Sequence, residues 1–171
     1  EGAGKEGCRF YLIALGGDIP LMWDDIYELP SDLREELSKR GNPVGSANVN
    51  KLKPELFHDP NGRPTQPVKI ICDESPWVIE TTFEPDYIAT DHWHGHNTLY
   101  FIMDGEMQFG ENEPIYKKGD IRVVKAGYSY GPEKPGKDGV KFILISNGGP
   151  VDLNWSDTVS YTHLRAHETY P

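Results

Sequence analysis

Residues 91–107 read DHWHGHNTLYFIMDGEM and hold three of the chain's six histidines, at positions 92, 94 and 96. On an extended strand, residues two apart share a face, with Cα atoms about 6.6 Å apart. Two imidazoles so placed can converge on one ion at metal–nitrogen distances of about 2 Å. A third, two residues further on, reaches the same ion only if the chain bends, and Gly95 and Asn97 are residue types that permit a bend. Imidazole-rich sites suit iron, copper, nickel or zinc better than magnesium or calcium. The competing reading is a polar strand face whose histidines bond to solvent or backbone. Downstream, GYSYGPE adds Tyr128 and Tyr130, phenols that could hydrogen-bond a substrate, act as a base or fill space.

The elements that must position these groups are strands. From Val68 onward the runs VKIICDE, WVIETTFEP, TLYFIMDGEMQF, DIRVVKA and VKFILISNG are β-branched or aromatic and are separated by turns bearing glycine and proline. They predict an antiparallel sandwich or barrel, with Asp104-Gly105 as a hairpin turn. If alternation persists past the histidines, Thr98, Tyr100, Ile102 and Asp104 share their face, and Leu99, Phe101 and Met103 form an apolar opposite face. Trp93 points away from the histidines and is expected in the core. Upstream, YLIALGG (11–17) could be a short buried strand. LPSDLREELSKRGNP (29–43) predicts a helix: Ser31 caps it, Gly41 ends it and Pro43 blocks extension. The expected division is an extension over 1–67 with this helix packed on the barrel, the barrel over 68–158, and a tail. That tail, VSYTHLRAHETYP (159–171), joins no pattern and resembles translated sequencing-adapter sequence, so we expect it to be non-native or disordered and set His163 and His167 aside.

Composition bounds the function. With 171 residues the chain can bury a real core. A net charge of −10 and a pI near 5.0 repel phosphate backbones and anionic lipid, so neither nucleic acid nor membrane is an expected partner. No apolar run is long enough to cross a bilayer. Cys8 and Cys72, 64 residues apart, have no metal-like spacing and are expected to be buried reduced thiols in a cytoplasmic protein.

HWHGHNTLYFIMDGEM followed by GDIRVVKAGYSYGPE resembles the two motifs of the cupin superfamily over roughly residues 68–150. The first family motif is His-x-His, three or four residues, Glu, six residues, Gly. The second is Gly, five residues, Pro-x-Gly, two residues, His, three residues, Asn. Counting back from Gly105 puts Thr98 at the glutamate position and makes His92 and His94 the ligand pair, with His96 an extra. Tyr130 stands at the last histidine position, Lys125 and Lys134 replace the proline and asparagine, and Asp86 stands where the first motif opens with glycine.

The resemblance implies an all-β, antiparallel double-stranded β-helix (a cupin-type jelly-roll barrel) with a short N-terminal helix. It also implies one divalent transition metal, iron first, with copper, nickel, zinc and manganese as alternatives. His92, His94, His96 and the Tyr130 phenol are the expected ligands, and Tyr130 and Tyr100 the expected catalytic groups. Tyr100 stands two residues past the glutamate position, and cupin lyases acting on small sulfonium acids use a tyrosine near their metal. The implied activity is that of a dioxygenase or related oxidoreductase on a small oxygen-donor molecule. The alternatives are a lyase or isomerase with a tyrosine base, and a non-catalytic binding module that has lost part of its metal site. Cupin sheets commonly dimerise through a face such as Leu99, Phe101 and Met103, so a homodimer is expected.

Overall fold

The computed structural model describes residues 4–13, 47–58 and 65–156. The chain divides into two compact units, Glu1–Gly45 and Ser46–Pro171. In the first, residues 4–13 are an exposed segment with one turn, closed by a 2.9 Å bond from Gly7 N to Gly4 O. Tyr11–Ile13 carry no strand, against the expectation of one beginning there. The rest of that run, the helix expected over 29–43 and the tail lie outside the described residues.

The second unit is built of β1 (Val68–Cys72), β2 (Trp77–Phe83), β3 (His92–Trp93), β4 (Thr98–Gln108), β5 (Ile115–Lys117), β6 (Ile121–Val124), β7 (Lys134–Ser146) and β8 (Asn154–Trp155), preceded by a single 3-10 turn at Val49–Lys51. Each run singled out from Val68 onward supplies one of the longer strands. The large sheet runs β1-β2-β7-β4-β5, with β6 also on β4, and every pairing is antiparallel. A smaller sheet pairs β3 with β8 and is widened by bridges from His92 to Tyr130 and from Ala89 to Glu133. The two sheets thus enclose one interior.

The two long central strands, β4 and β7, decide which side chains face that interior. Along the first half of β4 the buried positions are Thr98, Tyr100 and Ile102, while Leu99, Phe101 and Met103 lie half-buried on the other face. Asp104-Gly105 does not turn the chain back, contrary to the hairpin expectation. β4 continues through it for 11 residues, and its register against β7 slips on both sides of this pair. Gly105 has φ +71, and a Cβ there would stand 2.2 Å from Gly139 O, so the position requires glycine. The slip inverts the alternation: beyond it Met107 and Phe109 are the buried residues. A turn-type dipeptide has been used as a bulge inside a paired strand.

The core gathers Trp77, Ile79, Tyr100, Ile102, Phe109 and Phe142 around the large sheet's inner face. Trp93 is not among them. It is 36% exposed, because alternation on β3 turns it outward when His92 turns in. Nor are the thiols buried: Cys8 is exposed and Cys72 half-buried, and both are free.

Candidate active site

His92 opens the small sheet. Its backbone N donates to Tyr130 O at 3.0 Å and its O accepts from Tyr130 N at 2.9 Å, which fixes the two residues side by side. The ring is 1% exposed, and Nδ1 lies 2.7 Å from Thr90 O. A carbonyl only accepts, so Nδ1 carries the proton and Nε2 presents a lone pair. His94 repeats the arrangement: Nδ1 donates to Asp152 O at 2.6 Å, and Nε2 meets the Tyr130 hydroxyl at 2.8 Å and the Tyr100 hydroxyl at 3.4 Å. Burial lowers the pKa of both rings, so both are neutral at pH 7. The 4.0 Å approach of His92 Nε2 to Glu133 Oε1 is therefore a contact between a neutral ring and a carboxyl, not an ion pair.

Asp152 holds the start of the loop after His94, and Asn97 ties its end to Ala126 N and Asn147 N. Asp152 accepts the His94 ring on its backbone oxygen and Gly95 N on its carboxylate, the latter at 2.8 Å. A Cβ on residue 95 would meet Asp152 Oδ2 at 2.8 Å. The chain bends at Gly95 and His96, and the bend brings Gly95 close to Asp152 without bringing in a third imidazole. His96 is exposed, and its ring lies against Gly148, where a Cβ would stand 2.0 Å from Nδ1. The structure thus brings His92, His94, Tyr100 and Tyr130 together and places the exposed His96 outside their cluster. Tyr128 is 57% exposed and also outside the cluster.

Tyr100 and Tyr130 share a short hydroxyl–hydroxyl hydrogen bond. Burial raises both phenols well above their ordinary pKa, and the nearby Glu133 carboxyl adds to the rise. Behind Tyr130, the Arg122 guanidinium stacks 4.5 Å from its ring and 4.4 Å from that of Phe109. It is held there by Glu113 through bonds of 3.1 and 2.7 Å. Burial works against the Arg122 charge, but the Glu113 bonds outweigh it and raise its pKa.

Glu133 was not anticipated from sequence. It is 2% exposed, its Oε1 has no hydrogen-bond partner, and burial pushes its pKa up to about 7, held from going further by His94, Tyr100 and Arg122. On a regular strand, residues 130 and 133 would point to opposite faces. Gly131, at φ +135, breaks that alternation and turns both inward. The one available signal was the presence of a carboxylate in GYSYGPE. Thr98, at the family's glutamate position, is buried with an unpartnered hydroxyl, opposite Ser146, which is in the same condition.

His92, His94, Tyr100 and Glu133 form one end of a cavity of about 70 Å³. A single water needs roughly 10–15 Å³ by the same measure, so the space suits a small molecule of a few non-hydrogen atoms. The rest of its wall is largely aromatic and aliphatic, with Trp77, Phe83, Phe142 and Leu144 prominent. Among the described residues, no three His, Cys, Asp or Glu side chains stand at the spacing of a formed metal cage. The donor chemistry of two unprotonated imidazole nitrogens and a buried carboxyl oxygen without a partner nevertheless fits a transition metal.

No family model and no curated protein matches the chain. Solved structures do. The polyketide cyclase RemF from Streptomyces resistomycificus superposes with a TM-score of 0.56 at 13% identity, covering 71% of this chain and 93% of RemF. A provisionally assigned dioxygenase from Nostoc punctiforme gives a TM-score of 0.55 at 16% identity. That match covers 66% of this chain but only 42% of the Nostoc protein. An RmlC-like cupin from Shewanella frigidimarina gives 0.49 at 12% identity, over 61% of this chain and 92% of its own. The fold is the cupin-type antiparallel double-stranded β-helix. Among the described residues, no helix is long and apolar enough to cross a membrane.

Proposed function

We propose that this cupin-fold chain is a metal-dependent enzyme acting on a small oxygen-donor organic molecule, with a dioxygenase or related oxidoreductase as the first reading. The observation that carries it is the pair of neutral histidines whose Nε2 atoms face a buried cluster in which Glu133 Oε1 lacks a partner. Such an orphaned oxygen costs stability unless something else completes it. His92 and His94 would hold the metal, with Glu133 supplying the carboxylate that Thr98 cannot and the Tyr130 oxygen as a further donor. Iron is the first choice for a set of two histidines and one carboxylate, and copper, nickel, zinc and manganese are the alternatives. Bound there, the ion would polarise a substrate oxygen and, if iron, add redox chemistry with O₂.

The remaining work falls to the chain's own groups. The Nδ1 bonds to Thr90 and Asp152 keep both rings in one tautomer and orientation. The hydrogen-bonded Tyr100 and Tyr130 hydroxyls, next to a carboxyl that ionises near 7, can pass a proton to or from a substrate at neutral pH. The apolar wall keeps water from the reacting end. The same phenol pair favours a second reading, a lyase or isomerase with a tyrosine base. In the metal-free protein burial keeps both phenols protonated, so that reading needs a cation beside them. Metal content after purification without chelators, by mass spectrometry, tests the whole reading. Well under one equivalent of any transition metal, with none regained on soaking, would leave a binding module instead.

A further inference from the structure

We infer that the molecule entering this cavity is uncharged, with its oxygen atoms confined to one end and a hydrocarbon remainder. This rests on the cavity being the site proposed above. Away from the His92, His94, Tyr100 and Glu133 cluster, the polar side chains of its lining include Thr65, Gln66 and Thr81, and the two threonine hydroxyls are already engaged. Of the hydroxyls in the wall, that of Thr81 donates to Pro67 O at 3.0 Å and that of Thr65 lies 3.2 Å from Phe57 O, so neither is free to recognise a ligand. The inner faces of β2 and β7 contribute Trp77, Ile79, Phe83, Phe142 and Leu144, side chains with no charge to offer.

The cation nearest the cluster, Arg122, does not line the cavity: it stacks on the Tyr130 ring and gives Nε and Nη2 to Glu113, with Nη1 buried and unpartnered. Among the described lining residues there is no Lys or Arg, and Glu133 brings the opposite sign. The chain's net charge of −10 adds a long-range field against anions. In the metal-free cavity a carboxylate or phosphate would have to give up its water with no cation in the wall to replace it. A polyol would have to do the same for hydroxyls spread along its length. An uncharged carbonyl or phenol compound loses neither: its oxygens meet His94, Tyr100 and the rest of the cluster, and its carbons meet the wall.

The test uses an isosteric pair, acetylacetone and malonate, in which two methyl groups trade places with two carboxylate oxygens. Binding is measured by calorimetry and by protein NMR on the chelator-treated chain at neutral pH, so that the metal plays no part. Metal uptake is measured separately on the same preparation. We expect saturable acetylacetone binding, with malonate weaker by about 100-fold or more from its unreplaced hydration. Val151→Arg and, separately, Leu153→Arg place a cation at half-buried lining positions outside the strands. Either variant should bring malonate to within about tenfold of acetylacetone, since one opposite charge offsets much of that penalty. Malonate binding as tightly as acetylacetone to the unaltered chain overturns the inference, and so does the absence of binding by either. Normal metal uptake with either of those results would sink this inference alone. Selective acetylacetone binding by a chain that takes up no metal would sink only the metal reading.

Discussion

Replacing Glu133 with glutamine should change how stability depends on pH, in a direction the structure fixes. The carboxyl is fully buried and ionises at about 7 in the folded chain, against an ordinary value of 4.5. Burial is the main cause, because it penalises the charged form. Between those two values the folded state holds a proton that the unfolded state has released, so stability falls as pH rises from 4.5 through 7. A gap of about two and a half pH units at ~1.4 kcal/mol each sets the full loss at about 3.5 kcal/mol above neutrality. Between pH 5 and 8, the part that can be measured is about 2 kcal/mol. Glutamine keeps the shape and cannot ionise.

The assay is urea unfolding of chelator-treated wild type and Glu133→Gln at several pH values, taking the difference in unfolding free energy at each. Groups that Glu133 does not influence titrate alike in both proteins and cancel, whereas the Glu133 charge also raises the His94 pKa, so the difference includes that coupling. The variant should gain on the wild type by about 2 kcal/mol on going from pH 5 to pH 8. A difference constant to within about 0.5 kcal/mol, the scale of ordinary surface effects, would refute the claim that burial outweighs the partners of this carboxyl. A metal held at Glu133, as proposed, would reverse the logic, since a cation favours the ionised form. The wild type should then lose its disadvantage at high pH.

Three further outcomes follow from the same geometry. His92→Ala and His94→Ala should each lower transition-metal affinity by at least about tenfold in a titration, while His96→Ala, whose ring lies on the surface against Gly148, should bind as the wild type does. Gly105→Ala should cost about 2 kcal/mol or more in thermal or chemical unfolding, because a Cβ would stand 2.2 Å from Gly139 O at φ +71; a loss under ~0.5 kcal/mol would mean the bulge relaxes. The outer face of the large sheet, with Ile121 44% and Val123 61% exposed beside half-buried Leu99 and Phe101, supports the homodimer reading. Light scattering should then give about twice 19.3 kDa, falling to the single value in Val123→Lys, and a wild type already at 19.3 kDa would end that reading.

What could be read from sequence divides along a physical line. Strand identity and the pairing of His92 with His94 rest on a period of two, a local property of extended chain, and both were legible. Alternation fails wherever a residue with φ above zero intervenes, and sequence does not say whether a glycine will turn the chain, bulge it or only make room. Gly105 reads as a hairpin and is a bulge, and the inward-facing set switches parity there, from Tyr100 and Ile102 to Met107 and Phe109. Gly95 does bend the chain, as read, but the bend makes room for Asp152 and leaves His96 exposed.

Gly131 has the largest consequence, because it admits Glu133 to a cluster whose motif position for a carboxylate, 98, is threonine. A donor set is defined in space, and the bridge from Ala89 to Glu133 sets that carboxyl beside His92 as surely as a place on β4 would. The loss of a ligand at its motif position is therefore weak evidence for the loss of a site. Two stretches of chain border the histidines, β4 and the residues 130–133 that precede β7, and on the proposed reading either would be able to carry the acid. The motif records only one of them. The unpartnered hydroxyls of Thr98 and Ser146 mark where the other carboxylate would have stood, and a Thr98→Glu, Glu133→Gln double variant that takes up metal as the wild type does would show the two positions to be interchangeable.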